Sequence, residues 1–164
     1  MEIEIVKKSN IGFSPEIGDM THELLSRLSE KVDSEGIDVL KKETVDILSK
    51  CTDPNKRECQ SVTNLVVGYV QSGKTMSFTT LSALAHDNGF RVIIYFAGTK
   101  NNLLSQTTKR LRKDLINGNV NSKHYKLFEN PTKNDSQRIR NALSLSSKPT
   151  ILITVLKHHK YISE

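Results

Sequence analysis

The stretch Val62-Thr63-Asn64-Leu65-Val66-Val67-Gly68-Tyr69-Val70-Gln71-Ser72-Gly73-Lys74-Thr75 decides how the rest of the chain is read. Its first six residues form a short apolar, β-branched run, which predicts a buried strand. The next eight meet every defined position of G-x-x-x-x-G-K-[ST]. Gly68 and Gly73 let the backbone turn so that successive N–H groups point inward, towards phosphate oxygens. A helix opening at Lys74 adds the positive end of its dipole. Lys74 is then expected on the β- and γ-phosphates and the Thr75 hydroxyl on Mg²⁺. Tyr69, Val70, Gln71, Ser72 and Met76 complete the expected nucleotide-binding set, so the cofactors predicted are ATP and Mg²⁺.

Outward from this loop, strands alternate with helices. A helix is predicted over 74–88, closed by Gly89, and a strand over 91–97 (RVIIYFA). A second helix follows over 101–117, with Leu103, Leu104, Leu111 and Leu115 on one face. Residues 119–133 read as a polar loop, 136–145 as a helix and 150–156 (TILITVL) as a further strand. That alternation indicates βαβ units and a parallel sheet. The first sixty residues read as helical instead. Ser14-Pro15-Glu16 offers an N-cap and a proline at N1, and Ser34 offers a second cap before a helix that ends ahead of Asp53-Pro54. Two regions are therefore expected, a helical segment over 1–54 and a phosphate-loop domain over 55–164. The sequence stops soon after its third expected strand, whereas doubly wound nucleotide-binding domains have five or more. A fragment of a longer protein is the expectation.

Composition narrows the classes. The chain has 164 residues, 36% of them hydrophobic, which suits one domain with an aliphatic core, since Trp is absent and aromatics are 5%. It has neither an apolar run long enough to span a membrane nor the apolar centre of a signal peptide, so no membrane partner and a cytoplasmic location are expected. Cys51 and Cys59 fit reduced thiols better than a disulfide framework. Residues 1–67 carry 9 basic and 13 acidic side chains, a balance of −4, and residues 68–164 carry 15 and 5, a balance of +10. The positive half begins with the glycine loop and would attract a polyanion.

A base-reading GTPase motif has its letters at Thr132-Lys133-Asn134-Asp135, but Phe128-Glu129-Asn130-Pro131 ahead of it reads as no buried strand, and no D-x-x-G stands between it and the glycine loop. A small-molecule kinase would place an acid after the 91–97 strand, where Gly98-Thr99-Lys100-Asn101 stands instead. Thr99 and Lys100 are expected at the C-terminal edge of the sheet. The helix after them bears Lys109, Arg110, Arg112 and Lys113, a set suited to gripping phosphates.

VVGYVQSGKT, RVIIYFAGTKNNLLSQTTKRL and TILITVLKHHKYI resemble motifs I, Ia and Ib of superfamily 2 helicases. The wording VQSGKT and AGTKNNLLSQ is most similar to the Z-one domain, a helicase-like ATPase domain of bacterial restriction and anti-phage systems. The resemblance spans about residues 55–162. It implies a partial RecA-like parallel sheet with its phosphate loop, preceded by the helical segment. Motif I falls on 68–75. Motif Ia falls on Gly98, Thr99, Lys100 and Gln106, and the next motif's threonine on Thr154, all implied contacts to a nucleic-acid backbone, DNA rather than RNA. The family's Asp-Glu box and its arginine-finger domain have no counterpart in the sequence, so nucleotide binding without turnover is expected. Additional domains or subunits of a defence system are implied as partners. The rival reading is a nucleotide-gated signalling or assembly ATPase whose basic face binds a protein.

Other candidates carry less. His158 and His159 adjoin two lysines, and neighbouring histidines point to different sides, without a third ligand for a metal. Arg57 and Gln60 stand where many helicases of this superfamily read the adenine. Five acids in the positive half make a nuclease centre a poor fit.

Overall fold

A computed structural model of the chain describes residues 13–56, 61–67, 74–117 and 122–157. Helices α1 (Asp19–Leu28) and α2 (Ser34–Ser49) come first, then α3 (Lys74–Asp87), strand β1 (Val92–Phe96) and α4 (Asn101–Leu111). Helix α4 widens into a π-helical stretch at Arg112–Asn117. Strand β2 (Tyr125–Glu129), helix α5 (Ser136–Leu143) and strand β3 (Thr150–Val155) complete the order. Among the described residues the strands form one parallel sheet in the order β1-β3-β2, which makes the fold mixed α/β. No helix among them is long and apolar enough to cross a membrane.

The pleat sorts side chains onto two faces. Tyr95 and Thr154 are register partners on one face, where the Tyr95 hydroxyl meets Ser82 of α3 and the Thr154 hydroxyl meets Thr108 of α4. Phe128 and Ile153 are partners on the other, where Arg138 of α5 lies over the Phe128 ring. Helices α3 and α4 thus cover one face and α5 the other. The core joins Ala83, Leu111, Leu115, Tyr125 and Leu152 to Met20 and Leu24 of α1, so the helical N-terminal region shares its core with the sheet. Helix α5 leaves part of its face bare: Val92, Ile94 and Phe96 of β1 stay exposed, Ile94 at 51%.

Several expectations change. Residues 62–67 enter no strand, and Leu65 is 89% and Val67 85% exposed. A β-branched run becomes a strand only where a neighbouring edge takes its backbone hydrogen bonds, and none of the edges among the described residues does. The polar loop expected over 119–133 contains strand β2 instead, because β3 offers its edge to Tyr125–Glu129 and Tyr125 is buried against α1 and α3. Helix α1 starts at Asp19 with Gly18 as N-cap, not at Ser14. The Asp87 carboxylate of α3 accepts the N–H groups of Gly18, Met20 and Thr21 and the Thr21 hydroxyl, so a residue from another helix performs the capping. For α2 the cap is Asp33, accepting from the Gly36 N–H, one residue before Ser34. Leu103 is 43% exposed, whereas Leu104, Leu111 and Leu115 are buried as expected. Gly89 closes α3 at φ 89° as predicted, with Phe90 N–H donating to the Ala85 carbonyl.

Candidate nucleotide and nucleic-acid sites

Residues 68–73 of the glycine loop lie outside the described residues, as do the side chains of Lys74 and Thr75. What is described is where the loop delivers the chain. Helix α3 begins at Lys74, and Phe78 and Ser82 on it both meet Tyr95, near the end of β1. Lys74 stands one turn before Phe78, about 6 Å further along the axis, which puts the start of α3 beyond the C-terminal edge of the sheet. Open α/β sheets bind ligands at that edge, and a helix start aimed there suits a phosphate. Met76 is half-buried in the first turn.

The same edge is tied together by backbone. Gly98, two residues past β1 at φ 87°, accepts the Lys157 N–H at its carbonyl, and a Cβ there would come within 2.9 Å of a Leu103 methyl. Asn130 follows β2 at φ 40° and gives its N–H to the Thr154 carbonyl, while its side-chain oxygen takes the Leu156 N–H. Thr99 and Lys100 are exposed between Gly98 and α4, with Lys100 as the N-cap of that helix. Gln106, in the second turn of α4, is also exposed.

Thr154 is a correction. Its side chain is fully buried and its hydroxyl bonds Thr108 at 2.9 Å, so in place of the implied backbone contact it ties β3 to α4. The grounds for setting aside a base-reading GTPase motif also change. A strand, β2, does precede Thr132-Lys133-Asn134-Asp135, but Asp135 is taken up in a capping box with Thr132 and an ion pair with Arg138. Those contacts hold its carboxyl below the ordinary carboxylate range, the Thr132 backbone N–H first among them. His158, His159, Arg57, Gln60 and Cys59 lie outside the described residues. Cys51 is half-buried, and burial pushes its thiol up. Among the described residues no three His, Cys, Asp or Glu side chains come together as a metal site.

The basic residues of α4 do gather. Gln106, Lys109, Arg110 and Lys113 run along one stripe and, with Thr107 and Phe78, line a groove of about 460 Å³ between α3 and α4. Arg110 keeps one acidic neighbour, Asp114, at 3.7 Å. The Phe78 ring is half-buried against Tyr95, with centroids 5.9 Å apart. Burial pushes the Tyr95 phenol up to about 12, opposed by its bond to Ser82, so it stays neutral and supports the ring as packing. Sequence reasoning passed over Phe78. Its available signal is an aromatic one turn after Lys74, on a helix otherwise rich in small and hydroxyl residues.

No family model, no curated protein and no solved structure matches this chain.

Proposed function

We propose that the chain binds ATP with Mg²⁺ at residues 68–75 and is the nucleotide-binding part of a DNA helicase- or translocase-like ATPase, of the kind found in restriction and phage-defence systems. The observation that carries this reading is the complete G-x-x-x-x-G-K-T pattern, whose Lys74 is the first residue of a helix aimed past the sheet's C-terminal edge. Bound there, Mg²⁺ would offset phosphate charge. The chain's own part is to turn backbone N–H groups inward and to set Lys74 beside the β- and γ-phosphates. Thr99, Lys100 and Gln106 are exposed where a nucleic-acid backbone could pass. The parallel α/β architecture supports the reading without distinguishing it from other phosphate-loop proteins.

Calorimetry of MgATP against wild type and Lys74→Ala tests the nucleotide site. Binding in the millimolar range, about −4 kcal/mol, should be lost with the ammonium group. Equal affinities would end the proposal. The bare apolar stripe Val92, Ile94 and Phe96 favours the rival, a signalling or assembly ATPase that binds a protein. Salt separates the two, because phosphate contacts release counterions and log K then falls steeply with log salt.

A further inference from the structure

The groove between α3 and α4 combines two features that a simple phosphate grip does not need together: a stripe of cations and an aromatic floor. Lys109 and Lys113 are both exposed and stand one turn apart on α4, with Arg110 and Gln106 on the same stripe. The floor is Phe78, held in place from behind by Tyr95. At Arg112 the helix widens into its π-helical stretch, a departure from regular geometry that clusters at functional sites. The volume, about 460 Å³, lies within the range of small-ligand pockets.

We propose that this groove is a binding site for single-stranded nucleic acid, in which one base stacks on the exposed part of the Phe78 ring while flanking phosphates lie on Lys109, Arg110 and Lys113. The proposal rests on the nucleic-acid half of the function proposed above. A duplex keeps its bases paired and stacked, so only a single strand can offer a free π-face to Phe78. Cationic grooves with an aromatic platform hold single strands in this way, with little preference for sequence. An acidic protein segment would use the lysines but leave the ring without a purpose. Phe78 also lies one turn from Lys74, so the groove shares helix α3 with the proposed nucleotide site.

Because the sequence contains no tryptophan, Phe78→Trp creates a unique reporter on the platform itself. The probes are a thymidine oligonucleotide, a base-free deoxyribose-phosphate oligomer of equal phosphate count, and polyglutamate, each titrated into the full chain at one salt concentration. The expected result is quenching by the thymidine oligomer only. Phe78→Ala should then weaken thymidine binding by roughly 5- to 150-fold, and affinity for the base-free oligomer should change little. Phe78→Leu preserves apolar packing on Tyr95 and should lose affinity like the alanine variant, with an unchanged circular-dichroism melt as proof of folding. Equal affinity of wild type for the thymidine and base-free oligomers, or indole fluorescence of the Phe78→Trp variant left unquenched on saturation, would overturn the platform. Polyglutamate competing on equal terms would overturn it in favour of a protein partner. Loss of the platform with DNA and ATP binding both retained leaves the proposed function standing. Absence of both removes that function as well.

Discussion

Asp87→Ala should detach the start of α1 from α3. One oxygen of this carboxylate accepts the Gly18 N–H at 3.1 Å, the Thr21 N–H at 2.9 Å and the Thr21 hydroxyl at 2.6 Å, and the other accepts the Met20 N–H at 3.2 Å. Losing a helix N-cap costs about 0.5–2 kcal/mol. Hydrogen bonds to a charged acceptor contribute about 1.5–3 kcal/mol each but do not add when they share one group. With both oxygens engaged, the loss should come to about 2–4 kcal/mol. At roughly 2–4 °C per kcal/mol for a chain of this size, the melting temperature should fall by about 4–16 °C. Urea denaturation followed by circular dichroism reads the difference directly, with the m-value checking that the unfolding reaction is unchanged. Asp87→Asn keeps one acceptor oxygen and should recover about half of the loss. Thr21→Ala should cost about 1 kcal/mol alone and clearly less in the Asp87→Ala background, since the hydroxyl then has no carboxylate to meet. A penalty below about 0.5 kcal/mol for Asp87→Ala would refute the reasoning. It would mean that the burial of Met20 and Leu24 positions α1 unaided.

Neutralising Lys100, Arg110 and Lys113 together to Gln should lower DNA affinity for all sequences alike and flatten the slope of log K against log salt by nearly one unit per lost phosphate contact. An unchanged slope points to the protein-binding rival. Thr154→Val should cost about 1–2 kcal/mol by stranding the Thr108 hydroxyl in the core, while DNA affinity stays at the wild-type value. A large loss of DNA affinity in a folded Thr154→Val protein would reinstate it as a contact. His86 is held below its ordinary 6.5, first by burial, with Asp87 opposing and His124 and Arg91 adding to the lowering. The unfolded chain therefore takes up this proton more readily than the folded protein, so stability is full above about pH 6.5 and declines as pH falls below it. His86→Asn keeps a donor for Thr150 and should show a smaller drop in urea midpoint from pH 7.5 to 5, and parallel curves for the two proteins would count against this account.

How much was legible in the sequence depends on how local the cause is. The closing of α3 at Gly89 was readable because a left-handed φ is a property of one residue. So were β1 and β3, whose apolar, β-branched runs mark them as strands, although only β3 is buried along nearly all its length while Val92, Ile94 and Phe96 of β1 stay exposed. The G-x-x-x-x-G-K-T pattern, the break in charge at residue 68 and the basic stripe of α4 are equally properties of the written chain. Strand β2 was not legible, since Tyr-Lys-Leu-Phe-Glu is a strand only by virtue of the β3 edge beside it. For the same reason residues 62–67, more strand-like on paper, have no ladder, because none of the described edges pairs with them. Asp87 gave one hint, an acid at the C-terminal end of a helix, where the dipole disfavours it, but the helix it caps lies more than 60 residues earlier in the chain. Thr154 and Phe78 exchanged expectations in the same way. Motif position suggested an exposed threonine and said nothing of the phenylalanine, yet packing buried the first against Thr108 and left the second as the floor of a cationic groove. Residue type and spacing set what each segment is able to do, while pairing, capping and exposure belong to the partner that folding brings alongside.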